Sequence, residues 1–194
     1  MVKVFFRRLQ HCNEVATSIS NASPTQLQQL KTELADEMGK PVGLHTMGIP
    51  AAISTLGVIV SFAIPQLWLG YGVLAGLDQP AEHVFVWVVL IALLFAGLNG
   101  VTMFMIGKGS MRAVRLHLTL AVISLVLTAA YLLVALSGSA APGVSLTAAL
   151  VSIVMLMLSG SCILSTPFYK MLLFTLHNRA WRKLLSQTRA KTAR

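Results

Sequence analysis

Four long apolar runs, over 47–75, 84–106, 114–136 and 144–165, follow one another along the chain with short polar links between them. A helix needs ~20 apolar residues to cross a bilayer, so each run predicts a transmembrane helix. The first run is longer than that and contains Pro65, which removes a backbone hydrogen bond and predicts a kink. Trp68, Tyr71 and Trp87 fall at the ends of runs one and two that meet the first link, where aromatic rings favour the interface.

The pattern changes outside these runs. In residues 1–40 the apolar positions recur at steps of three and four: Phe5, Leu9, Cys12, Ala16 and Ile19, then Leu27, Leu30, Leu34 and Met38. That spacing predicts two amphipathic helices. Between them, Ser23-Pro24-Thr25-Gln26 has the form of a capping box with proline at the first helical position. Gly39 and Pro41 mark a stop. Lys3, Arg7, Arg8 and His11 surround the first stripe, which suits either the lipid headgroup layer or packing on the next helix. At the other end, Thr166-Pro167 reads as a cap and first helical residue. It opens a basic amphipathic helix and tail over 167–194, expected to lie along the membrane surface.

Charge fixes an orientation. None of the 15 Lys and Arg residues lies in the links 76–82 or 137–143, and the first of these carries Asp78 and Glu82. Lys108, Arg112 and Arg115 crowd the central link 107–115, and the remaining cations flank the spans. Positive residues stay on the cytoplasmic side. The expected architecture is therefore an all-α membrane protein with four transmembrane helices and both termini cytoplasmic, preceded by a helical hairpin. A bacterial inner (plasma) membrane is the expected location. Only 11% of residues are charged and the mean hydropathy is +0.76, whereas soluble domains carry about 25% charged residues. The net charge of +9 is sorted by position beside apolar runs, so it implies anionic headgroups as partners and not nucleic acid. Lys108, Arg112, Arg115, Arg179, Arg182 and Lys183 are the residues expected to set topology and face lipid.

Catalytic chemistry finds little support. The six acids, Glu14, Glu33, Asp36, Glu37, Asp78 and Glu82, all lie outside the spans, whereas a proton-coupled carrier needs a carboxylate within one. The histidines fall near predicted interfaces; His117, one turn from the basic link, is expected to reach water. Cys12 and Cys162 are not placed to pair, and no metal-ligand spacing occurs. The pairs Met103/Met105 and Met155/Met157 point to opposite helix faces and cannot chelate one ion. No nucleophile elbow, zinc or phosphate-binding motif is present. No enzyme activity, cofactor or metal is expected.

Two small-residue patches remain. Gly97, Asn99 and Gly100 in the second run, and Ser159, Gly160 and Ser161 in the fourth, are candidate helix-contact residues, because small side chains let backbones approach closely. They suggest a non-catalytic protein acting through protein–protein contacts in the bilayer with a membrane-protein partner or as a homo-oligomer. An immunity protein against a membrane-inserting toxin and an assembly subunit of a membrane complex are two forms of this reading. The alternative is a small-solute transporter or channel working as an oligomer.

Overall fold

The computed structural model of the chain describes residues 2–39, 43, 47–138 and 141–192. Lys40, Pro41, His45, Ser139, Ala140 and Arg194 lie outside them. Among the described residues all regular structure is helical: α1 (Val2–Asn21), α2 (Pro24–Met38), α3 (Ile49–Ala63), α4 (Gln66–Gly76), a 3-10 turn (Ala81–His83), α5 (Val84–Gly107), α6 (Met111–Leu136), α7 (Leu146–Leu164) and α8 (Thr166–Thr192). Four stretches are long and apolar enough to cross a membrane: Ile49–Gly76, Ala81–Gly107, Met111–Leu136 and Leu146–Leu164. Pro65 interrupts the first of them, separating α3 from α4. The basic link is shorter than its sequence suggests, because α6 already begins at Met111 and carries Arg112 and Arg115 on its first turns.

The chain divides into two compact units. Unit one comprises Met1–Ala52, Met103–Arg115 and Cys162–Arg194; unit two comprises Ile53–Thr102 and Leu116–Ser161.

Helix α8 is the spine of unit one. It buries Phe168, Met171, Leu172, Leu173, Leu176 and Ala180, and both α1 and α2 pack on it. Its other side, with Trp181, Arg182 and Leu185, stays exposed, so the helix is amphipathic as its sequence predicts. The apolar stripe of α1 is used in packing, with Cys12, Ala16 and Ile19 buried, as are Leu27, Leu34 and Met38 of α2. The capping box forms at α2: Ser23 Oγ accepts the Gln26 N–H, and the Gln26 side chain accepts the Ser23 N–H at 2.9 Å. The cap of α8 sits one residue earlier than expected, since Ser165 Oγ accepts the Phe168 N–H at 3.2 Å.

Three cations of α8 bind main chain. Lys183 Nζ donates to the carbonyls of Ile19, Ser20 and Ala22 at 2.8, 2.7 and 3.4 Å, where α1 ends. Arg179 donates to the Gly109 carbonyl and to Ser20 Oγ, both at 3.1 Å, and Arg182 donates to the Lys108 carbonyl at 3.0 Å. These carbonyls lie at or just beyond the C-termini of α1 and α5, where the helix dipole favours a cation. Gly109 has φ +78°, and a Cβ there would lie 2.8 Å from the Thr175 carbonyl, so glycine is required at this contact.

A second tie joins α1, α2 and α8. Tyr169 Oη donates to Glu37, His11 Nε2 lies 3.2 Å from the other carboxylate oxygen, and the Arg8 guanidinium stands 5.0 Å above the Tyr169 ring. Burial, then the Glu37 hydrogen bond, raises the Tyr169 phenol well above its ordinary range. Burial, with Glu37 adding to it, pushes the Cys12 thiol from its ordinary 9.0 to about 12.

Unit two is organised inside out relative to a water-soluble domain. Its buried residues include Ser54, Thr55, Ser61, Gln66, Asn99, Thr102, His117, Ser124, Thr128, Ser152 and Ser159. Its exposed residues include Phe85, Leu93, Leu94, Val126, Leu133, Val154 and Met157. An apolar centre persists at Val58, Phe95 and Leu120, where the rings of Phe62 and Phe95 stack 3.6 Å apart.

Two outcomes follow for unit one. Replacing Lys183 by Met is expected to cost about 1–2 kcal/mol, because three carbonyls at or just past the end of α1 lose their donor. Hydrogen exchange should then quicken first in the last turn of α1. At pH 8, folded Cys12 is expected to react with Ellman's reagent about a thousandfold more slowly than an ordinary thiol, because so little of it is thiolate. Its raised pKa favours the folded state fully below pH 9.0, and this contribution is lost as pH climbs toward about 12.

Candidate functional site

Heptad spacing builds the interior of unit two. Polar residues recur at every seventh position on three helices or their leading ends: Ser54 and Ser61 in α3, His117, Ser124 and Tyr131 in α6, and Ser145, Ser152 and Ser159 at α7. A seven-residue step returns each helix to nearly the same face, so these side chains form stripes. The stripes meet in three layers.

In the first layer Ser54 Oγ lies 2.8 Å from His117 Nε2 and 3.1 Å from Ser159 Oγ. All three residues are at most 1% exposed. His117 is therefore a buried helix pin and not the water-accessible interfacial histidine its position in sequence suggests. In the second layer Thr128 and Ser152 hydroxyls converge on the Ser61 carbonyl at 3.2 and 2.9 Å and lie 2.9 Å from each other. Ser124 and Ser61 hydroxyls reach the Val58 carbonyl at 3.4 and 3.1 Å. In the third layer Tyr131 Oη donates to the Gly143 carbonyl and accepts the Ser145 N–H, each at 3.0 Å.

Close approach accompanies the hydrogen bonds. A Cβ on Gly57 would fall 2.5 Å from the Met155 carbonyl and 2.9 Å from Ser159 Cβ. A Cβ on Gly70 would fall 2.6 Å from Trp87 Cδ1. Gly57 thus permits α3 to lie against α7 at the level where Ser54 and Ser159 bond. The spacing Gly57-x-x-x-Ser61 is a small-residue signature visible in sequence and overlooked in favour of the denser patches.

The six candidate contact residues divide between inner and outer faces. Ser159 points inward and bonds to Ser54. Asn99 is also buried; its Nδ2 donates to the Phe95 carbonyl of its own helix at 2.9 Å, and its Oδ1 has no partner among the described residues. Gly97 and Gly100 face outward, and a Cβ on either would meet nothing within 4 Å. Gly160 likewise has open space beside it, and exposed Ser161 donates to the Met157 carbonyl at 2.6 Å. Asn99 therefore does not share a surface with the glycines that bracket it. The basic candidates are in unit one: Lys108 Nζ stands 4.3 Å over the Phe104 ring, Arg112 is exposed, and Arg115 donates to Asn13 Oδ1 at 3.0 Å. Arg179, Arg182 and Lys183 bind the carbonyls described above.

Among the described residues no group of three or more His, Cys, Asp or Glu side chains is placed to hold a metal ion. No known protein family matches the chain, and no curated protein or solved structure shows significant similarity to it.

The glycines separate inner from outer contacts experimentally. Gly57→Ala is expected to destabilise the protein by about 1–3 kcal/mol through overpacking. Gly97→Ala is expected to be neutral or stabilising by up to about 1 kcal/mol, from helix propensity alone. Denaturation of the purified protein in micelles, followed by tryptophan fluorescence, checks both.

Proposed function

We propose that this chain is a four-span inner-membrane protein with both termini and the α5–α6 link in the cytoplasm. It acts without catalysis, through helix contacts made within the bilayer. The observation that carries this reading is the outward face of α5. Gly97 and Gly100 interrupt a surface of exposed Leu90, Leu93, Leu94 and Val101, and among the described residues nothing lies within 4 Å of a Cβ built on either. Glycine inside a helix costs about 1 kcal/mol relative to alanine, and no contact among the described residues requires it there. A notch in an otherwise apolar face lets another helix approach its backbone. That partner is a second copy or a different membrane protein; a subunit or assembly factor of a membrane complex, or an immunity protein against a membrane-inserting toxin, is the corresponding role. The cation distribution supports the orientation, and anionic headgroups are its lipid partners.

A photo-crosslinking residue at Val101 is expected to give one discrete protein adduct in native membranes. Gly97→Leu combined with Gly100→Leu should abolish that adduct while leaving the fold intact. Adducts to lipid alone, or saturable solute uptake by the purified chain in liposomes, would defeat the proposal.

A further inference from the structure

The apolar stripe of α1 is consumed by packing, yet its first two turns carry a second apolar feature on the opposite side. Phe6 is 61% exposed and Val4 is 50% exposed. Lys3 and Arg7, one turn apart, are exposed between them. Helical periodicity places these two cations directly opposite the buried Cys12–Ala16–Ile19 side, with Phe6 on one flank and Val4 on the other. Phe5 is half-buried, and its ring meets that of Phe6 edge-on at 5.7 Å, which anchors the exposed ring to the packed side of the helix. Among the described residues no hydrogen bond or ion pair engages Lys3 or Arg7, and the first acid in the chain is Glu14. By contrast, Arg8, Arg115, Arg179, Arg182 and Lys183 all donate hydrogen bonds within unit one.

We propose that the first two turns of α1 form a contact site for an anionic lipid surface, with Lys3 and Arg7 on the phosphates and Phe6 and Val4 in the headgroup layer. The charge selects the occupant: two unneutralised cations flanked by apolar side chains match an acidic bilayer surface. The site belongs to the face of α1 left over after folding, not to the stripe that gives the helix its amphipathic sequence. This inference rests on the membrane-spanning reading above.

The test uses the full chain in lipid nanodiscs, with Cys12→Ala and Cys162→Ala as background. Single spin labels are placed at position 6, at position 4, at exposed Thr17 and at exposed Leu94, and collisions with oxygen and with a water-soluble nickel chelate are compared. In discs with one-third phosphatidylglycerol, labels at 6 and 4 should favour oxygen while that at 17 favours nickel. Lys3→Gln with Arg7→Gln is expected to lower the inserted population about 30-fold, two cations near an acidic leaflet being worth about 1 kcal/mol each. Pure phosphatidylcholine should act like the double substitution. Nickel access at 6 equal to that at 17 overturns the site. Shielding from both probes overturns it in favour of a protein contact, and insertion indifferent to lipid charge overturns the role of Lys3 and Arg7. Leu94 separates the two levels: nickel access there defeats the spanning reading itself, whereas oxygen access at 94 with water at 6 defeats this site alone.

Discussion

The hydroxyl seam inside unit two is the constraint on which the rest of that unit depends. Helices with exteriors as apolar as those of α6 and α7 gain little from burying more apolar surface when their solvent is lipid. Their association needs close backbone approach and hydrogen bonds that cannot be made elsewhere. Ser54, Ser61, Ser124, Thr128, Ser152 and Ser159 supply both, because a hydroxymethyl group is small and carries its own donor. Gly57 extends the same logic to the point where even a methyl group would not fit. Several of these hydroxyls bond across to main-chain carbonyls of α3, which fixes the depth of each helix as well as its neighbour.

Unit one solves a different problem with different residues. Helices α1 and α5 each end in carbonyl groups without intrahelical partners. Lys183 bonds two of the first set, and Arg179 and Arg182 bond carbonyls just past the second. Cations that flank the apolar spans therefore hold tertiary structure by their donors. The Glu37 carboxylate, bonded to Tyr169 and His11, is the complementary device among the acids. Burial of Cys12 close to it leaves that thiol protonated and inert.

Local features were legible in the sequence: four helices of spanning length, the interruption at Pro65 and the capping box at Ser23 each depend on neighbours within a turn or two. Features that depend on distant partners were not. Ser54 meets residues 63 and 105 positions away, and nothing in its own surroundings marks it from serines that bond back to their own helix. Grouping Asn99 with Gly97 and Gly100 followed density in sequence, although on a helix Asn99 stands about 200° from Gly97 and about 100° from Gly100 around the axis. The heptad recurrence of polar positions was readable, but only as three weak stripes whose meeting the fold reveals. For α8, the basic amphipathic pattern was readable, but not that Arg179, Arg182 and Lys183 reach carbonyls distant in sequence.

In a bilayer, unit two is expected to present its apolar side chains to lipid and its hydroxyls to one another. Diazirine-bearing phospholipids activated in a bilayer containing the intact protein, with adducts mapped by mass spectrometry, test it most directly. Adducts should fall on Leu94, Val126, Leu133 and Val154 and spare Ser54, His117, Thr128 and Ser152. Adducts concentrated on the hydroxyl-bearing faces, or absent from all four apolar positions, would contradict the account.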